Sequence, residues 1–269
     1  ETEHPFTINF SRDDVRITTH YHADMVASSL YSVVHEGGHA LYELHTGREL
    51  ARSNLGNGVS MGIHESQSRF YENIIGRSRA FCSVIYPWLK EHFAPRLDNV
   101  TEDDFYRMIN KSEPSLIRTE ADELTYCLHI MVRYELEKRM FDGTLTAHDL
   151  PAEWNRLYKE YLGIDVPNDR QGVLQDSHWS NGNIGYFPSY AIGSAYGAQY
   201  LLELSKVLDV DAVVRSGDLT PINNWLEEKI WKYGCMKDPV ALFESVCGKF
   251  DPDCYVAYLE KKFTEVYGL

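Results

Sequence analysis

A mainly α-helical fold with one small β-hairpin is what the sequence predicts, on three observations. Apolar residues recur at helical spacing along most of the chain, strand-like alternation is confined to the N-terminal stretch, and Pro and Gly fall where helices end rather than at regular hairpin turns. In "HPFTINFSRDDVRITTHY", Phe6, Ile8 and Phe10 alternate with polar residues, as do Val15 and Ile17, and the polar "SRDD" between them makes the turn. From Asp24 to His45 the pattern is helical and stops at Gly47, a favoured position for glycine beyond a helix end. After the loop "RSNLGNGVSMG", a second helix is expected from Ile63 through "HESQSRFYENIIGRSRAF", and a third from Tyr86 to Phe93, ended by Pro95. "TEDDFYRMIN" reads as a short helix capped by Thr101, with Asp104 answering three residues on. The longest helical pattern runs from Ser115 to Gly143. It is followed by "PAEWNRLYKEYLG", an irregular stretch from Gln171 to Gly185, and helices to the C-terminus.

With 269 residues, 43% hydrophobic, the chain can bury a sizeable core. No repeat, low-complexity tract or linker divides it, so residues 1–269 are expected to form a single domain. A formal charge of −14 opposes binding to nucleic acid or an anionic membrane, which need clustered Lys and Arg. Five cysteines with no C-x-x-C pair argue against a disulfide framework or a cysteine metal site and for a reducing, cytoplasmic compartment. No basic-then-apolar leader or membrane-length apolar run is present.

"VVHEGGHALYELHTG", Val33 to Gly47, puts two glycines inside a helix, each costing about 1 kcal/mol relative to alanine. His35 and His39 lie about 40° apart on one face, where both imidazoles can reach one metal ion, and Glu36 stands at the edge of that face. This is H-E-x-x-H, in which two histidines bind zinc and the glutamate takes a proton from the attacking water. Two histidines on a helix face can also simply bond to backbone or water, but that reading leaves the glycines unexplained. At the same helical angle Gly37 falls with Leu30, Val34 and Leu41, so it is expected to admit a neighbouring helix. Gly38 falls with His35 and is expected to clear room for substrate. A catalytic zinc normally takes a third protein ligand. "IHESQSRFYEN" offers Glu65, with His64 as the alternative, and Glu72, two turns further along the Glu65 face, as an acceptor for a ligand N–H.

Other short motifs stand in order along the chain: His4-Pro5-Phe6 as H-P-F, Asp14 to Thr18 as D-x-R-x-T, "HESQ" from His64, "IRTEADEL" from Ile117 and "GVLQDSHW" from Gly172. Together with H-E-x-x-H they make the sequence strongly similar to the carboxypeptidase Taq family of metallocarboxypeptidases, the M32 peptidases. The resemblance implies a zincin-like helical metallopeptidase with a small hairpin or sheet beside the active-site helix. It favours Glu65 as third ligand with His35 and His39, and Glu36 as general base. It implies zinc, with cobalt or another divalent metal as alternative, broad cleavage of C-terminal residues from peptides with a free C-terminus, and a homodimer. Members carry a helical region ahead of H-P-F, so the resemblance implies that the sequence is the catalytic, C-terminal portion of a longer architecture, with a processed form or a naturally short member as the alternatives.

For such an enzyme Arg118 is the expected holder of the substrate carboxylate, oriented by Asp122 on the same helix, since guanidinium grips a carboxylate by two parallel hydrogen bonds. Without the motif, Arg118 and Asp122 would read as a surface ion pair. The resemblance makes His4 and His178 substrate-pocket groups. Asp176 is expected to hold a histidine tautomer, Asp14 and Arg16 to organise the cleft edge, and Tyr186 and Tyr190 to donate hydrogen bonds near the reacting carbonyl or to pack. The rival readings are a zinc endopeptidase or aminopeptidase, and a catalytically incomplete interaction subunit with a metal-stabilised scaffold.

Overall fold

Strand alternation in "TINFS" and "DVRI" is realised as β1 (Thr7–Ser11) and β2 (Asp14–Ile17), an antiparallel pair in which Ile8 stands opposite Arg16. The computed structural model describes residues 1, 2 and 5–269, so His4 of the H-P-F motif lies outside the described residues. Among them are eleven α-helices and this single two-stranded sheet. The hairpin's polarity is the reverse of an ordinary half-buried strand. Thr7 and Asn9 turn toward α1 (Val26–Leu44), where Thr7 Oγ1 lies 3.0 Å from the carbonyl oxygen of Glu36 and Asn9 Nδ2 donates to Glu43 at 2.8 Å, while Ile8 and Phe10 are exposed.

The chain groups into two compact units. One comprises Glu1–Ile109 and Gly193–Leu269. Here α1 packs along α2 (Met61–Arg69), which continues without a break into a π-helical turn, Phe70–Ile75. Gly76 and Ser78 then separate it from α3 (Arg79–His92), because Ser78 caps the new helix by accepting from the amide of Phe81. The second expected helix therefore ends earlier, and the third starts earlier, than periodicity alone indicated. Next comes α4 (Glu102–Ile109), where Thr101 Oγ1 accepts from the amide of Asp104 and Asp104 accepts from the amide of Thr101 in a reciprocal cap.

The second unit, Asn110–Ile192, holds α5 (Glu123–Phe141), α6 (Leu150–Leu162) and the irregular segment that follows. The long helical pattern from Ser115 does not form as one helix. Arg118–Glu120 make a 3-10 turn, and α5 begins only after Asp122, whose carboxylate accepts from the amides of Leu124 and Thr125. Val132, Leu136, Trp154, Leu157 and Tyr158 form this unit's main core.

Helix α7 (Pro188–Leu204), from Gly193 onward, belongs to the first unit, with α8 (Val210–Ser216), α9 (Thr220–Lys229), α10 (Pro239–Cys247) and α11 (Asp253–Tyr267). Its core joins Tyr42, Ile63, Phe70, Tyr200, Trp231 and Phe243. No helix among the described residues is long and apolar enough to cross a membrane, and the five cysteines are free.

Candidate metal centre

Two successive turns of α1 carry His35 and His39, and the facing turn of α2 carries Glu65. Their donor atoms lie within 4.8 Å of one another, with Glu65 Oε2 at 3.6 Å from His35 Nε2 and 3.8 Å from His39 Nε2. The backbones of the two helices approach closely at Gly38. A methyl group there would lie 2.6 Å from Ser68 Cα and 2.7 Å from the carbonyl oxygen of Gln67. A methyl group on Gly37 would touch nothing within 4 Å. Gly38, not the expected Gly37, thus admits the neighbouring helix: the histidine face is itself the packing face, because the third donor comes from the helix packed on it. A second close approach lies behind Glu65, where Gly193 of α7 leaves no room for a Cβ against the Glu65 backbone.

The hydrogen bonds around the imidazoles decide which ring nitrogens face Glu65. His35 Nδ1 lies 2.8 Å from Glu72 Oε2, so Glu72 on the π-turn accepts the His35 N–H as its position along the Glu65 face suggested. Burial works against the charge of Glu72, but Arg69, the hydrogen bond from His35 and Arg77 hold its carboxyl well below the usual carboxylate range. His39 is kept neutral by burial and by its neighbours His35 and His64, its pKa falling well below the ordinary histidine value. A neutral imidazole with Nδ1 protonated has its lone pair on Nε2, the form a metal requires. Four-coordinate zinc bonds of roughly 2.0–2.1 Å place neighbouring donors about 3.3 Å apart. The two histidine nitrogens and the buried Glu65 carboxylate therefore fit a divalent ion with little rearrangement.

Glu36 is 7% exposed and accepts a 2.6 Å hydrogen bond from Thr7 Oγ1, so the hairpin's inward polar face steadies this glutamate. His64, the alternative third donor, is directed elsewhere: its Nε2 lies 2.6 Å from Glu43 Oε1 and its Nδ1 3.1 Å from His39 Nδ1. Sequence reasoning passed over Thr7, Asn9 and Glu43. Only Glu43 left a local signal, standing one helical turn beyond His39 on the same face.

The second unit brings Arg118, His178 and Tyr186 into one cluster. Arg118 is buried, its Nε and Nη2 both donating to Asp176 Oδ1 at 3.0 and 2.7 Å and its Nη1 to the Tyr126 hydroxyl at 2.8 Å. Asp176, not Asp122, orients it, since Asp122 is occupied in capping α5 and in accepting from Ser112 and Glu113. Asp176 also accepts from Arg133 Nε at 2.7 Å, and Gln175 Oε1 accepts from both the Arg118 amide and Arg133 Nη2. Although burial raises it, the two guanidiniums bring the Asp176 pKa down to about 2. At 3.8 Å from His178 Nδ1, Asp176 is too far to fix that ring's tautomer. Instead His178 Nε2 meets the Tyr190 hydroxyl at 3.1 Å, with its ring against Phe187 and Tyr186. Asp14 and Arg16 pair with each other at 2.8 Å on the exposed side of the hairpin.

The profile of the carboxypeptidase Taq (M32) metallopeptidase family matches residues 1–263. The chain belongs to this family. Among its M32 relatives, carboxypeptidase 1 of Bacillus subtilis is 43% identical over 99% of this chain and 54% of its own length. Thermostable carboxypeptidase 1 of Pyrococcus furiosus is 43% identical over 97% of this chain and 52% of its own. The crystal structure of the M32 carboxypeptidase from Deinococcus radiodurans R1 superposes with a TM-score of 0.96 at 40% identity, covering 100% of this chain and 55% of that one. The chain thus spans about half the length of the M32 proteins it matches. Family membership implies a divalent metal, and the His35, His39 and Glu65 donors are a set that suits one.

Proposed function

We propose that the chain is the metal-bearing portion of a carboxypeptidase that hydrolyses the last peptide bond of peptides with a free C-terminus and broad side-chain preference. The observation that carries this reading is the convergence of His35, His39 and Glu65 within 4.8 Å, in an M32 family chain whose relatives are named carboxypeptidases. Two imidazole nitrogens and one carboxylate favour zinc, with cobalt as the alternative. Bound there, the ion supplies Lewis acidity toward the scissile carbonyl and a water molecule. Glu36 takes the proton of the attacking water on a carboxylate oxygen and delivers it to the leaving amine. Arg118 supplies positive charge for the substrate carboxylate. Its support is the motif together with the charge count, since Arg118 and Arg133 share one aspartate and leave a net positive centre in an acidic chain. His178 and Tyr186 are proposed as pocket groups beside that centre, and His4 as a further one on its motif alone. The free cysteines suit the reducing, cytoplasmic setting proposed for the protein.

The test compares Glu36→Gln, Glu65→Ala and Arg118→Ala on free-acid peptides and their C-terminally amidated twins. Glu36→Gln should keep its metal and lose turnover, while Glu65→Ala should lose metal. Arg118→Ala should lower kcat/KM for free-acid peptides about 10- to 100-fold and spare residual amide cleavage. Preferred cleavage of amidated or internal bonds would make the protein an endopeptidase. Metal retention without turnover on any peptide would favour the interaction-subunit reading.

A further inference from the structure

Glu72 accepts directly from His35, whereas no carboxylate touches Nδ1 of His39 among the hydrogen bonds of the described residues; another imidazole does. His39 Nδ1 and His64 Nδ1 face each other at 3.1 Å, so one nitrogen must donate and the other accept. For a neutral His64 ring, its far side settles which. Its Nε2 lies 2.6 Å from Glu43 Oε1, and a carboxylate only accepts, so His64 Nε2 carries the proton. Glu43 is held in that position from three directions: Oε1 also takes the Gly58 amide at 3.0 Å, Oε2 takes Asn9 Nδ2 at 2.8 Å, and its own backbone belongs to α1. A Cβ on Gly58 would collide with His64 Nε2, and the neighbouring Val59 amide is bonded to the Tyr42 hydroxyl at 3.0 Å, so the loop closes tightly over the His64–Glu43 pair.

We propose that His64 and Glu43 are positioning residues that set the tautomer of His39. Glu43 orders the proton onto His64 Nε2, His64 presents a bare Nδ1, His39 places its proton on Nδ1, and the lone pair of His39 Nε2 is left facing Glu65 Oε2 at 3.8 Å. The second histidine of H-E-x-x-H is thereby prepared for a metal through an interposed imidazole, and His64 of "HESQ" works behind the site rather than in it. This rests on the reading that His35, His39 and Glu65 hold the ion. Partners of this kind behind a liganding histidine typically change metal affinity 10- to 100-fold.

Long-range ¹H–¹⁵N spectra of the metal-free 269-residue chain, with histidine nitrogens assigned, distinguish protonated from bare ring nitrogens without any substitution. They should show His39 protonated at Nδ1 and His64 protonated at Nε2. The reverse arrangement at either ring overturns the proposal. Zn²⁺ affinity, measured by competition with a chelator, then separates hydrogen bonding from packing. His64→Phe still fills the space with a ring and removes the acceptor, whereas His64→Asn loses volume but its Oδ1 can still accept from His39. Phe should weaken Zn²⁺ binding 10- to 100-fold and mix the His39 tautomers, and Asn should recover most of both. If Phe binds Zn²⁺ at least as tightly as Asn, His64 is only filling space. If His39→Ala leaves Zn²⁺ affinity unchanged, the ligand assignment itself fails, a result distinct from either His64 outcome.

Discussion

Adjacent glycines with opposite surroundings make the sharpest residue-scale contrast. Gly37→Ala puts a methyl group into open space on a helix interior, so it should raise stability by about 0.5–1 kcal/mol, read as a higher urea midpoint. Gly38→Ala pushes against backbone atoms of Gln67 and Ser68, which cannot rotate away. It should cost about 1–3 kcal/mol and, because Glu65 is on the displaced helix, weaken metal retention as well. Equal midpoints for the two variants would refute this division of roles. If Gly37→Ala is more stable but slower on peptides, substrate passes over that open position. Periodicity could identify the two faces of α1, but which face met a helix depended on the third donor's position on α2.

At the scale of elements, legibility followed the range of the deciding interaction. The Thr101–Asp104 cap could be read directly, since both partners lie within four residues. The start of α5 could not, because Asp122 combines a local cap with bonds from Ser112 Oγ and the Glu113 amide, which commit the preceding segment to a non-helical path. Asp122→Ala should therefore cost about 2 kcal/mol, more than an ordinary cap, and accelerate amide exchange in the first turn of α5. Asp122→Asn should recover much of the loss, as its side-chain oxygen still accepts. An unchanged exchange pattern in the alanine variant would show that α5 starts where it does for another reason. The hairpin carries the same lesson: alternation identified the strands, but Glu36 and Glu43 on α1 decided that the polar face turns inward.

For the whole molecule, acid stability follows from the buried charges of the second unit. His129 is fully buried, its Nδ1 3.1 Å from the Tyr158 hydroxyl, and burial together with Arg133 and Arg118 lowers its pKa from 6.5 to about 3. Between those values the unfolded chain binds a proton that the folded chain refuses. The stability associated with neutral His129 is thus intact above pH 6.5 and drains away as pH falls toward 3, a loss of about 3–5 kcal/mol. Asp176, lowered from 3.8 to about 2, extends the decline below pH 3.8 by about 2 kcal/mol as its carboxylate between Arg118 and Arg133 is neutralised. Urea unfolding at pH 7, 5 and 4 should show this fall for the parent chain and a flatter dependence for His129→Phe. Parallel curves would exclude His129 as its source.

What the sequence determined by itself was whatever is encoded within one helical turn or one short motif: the pairing of His35 with His39, the edge position of Glu36, the reciprocal cap at Thr101 and the helical class of the chain. Regular backbone geometry converts such spacing into direction without reference to the rest of the molecule. The tertiary structure decided which distant groups complete them. Asp176 rather than Asp122 holds Arg118, Gly38 rather than Gly37 admits the neighbouring helix, and Glu43 reaches His39 only through His64. Each of these depends on two segments meeting at a particular depth and rotation. That is set by packing over the whole unit, and no local spacing records it.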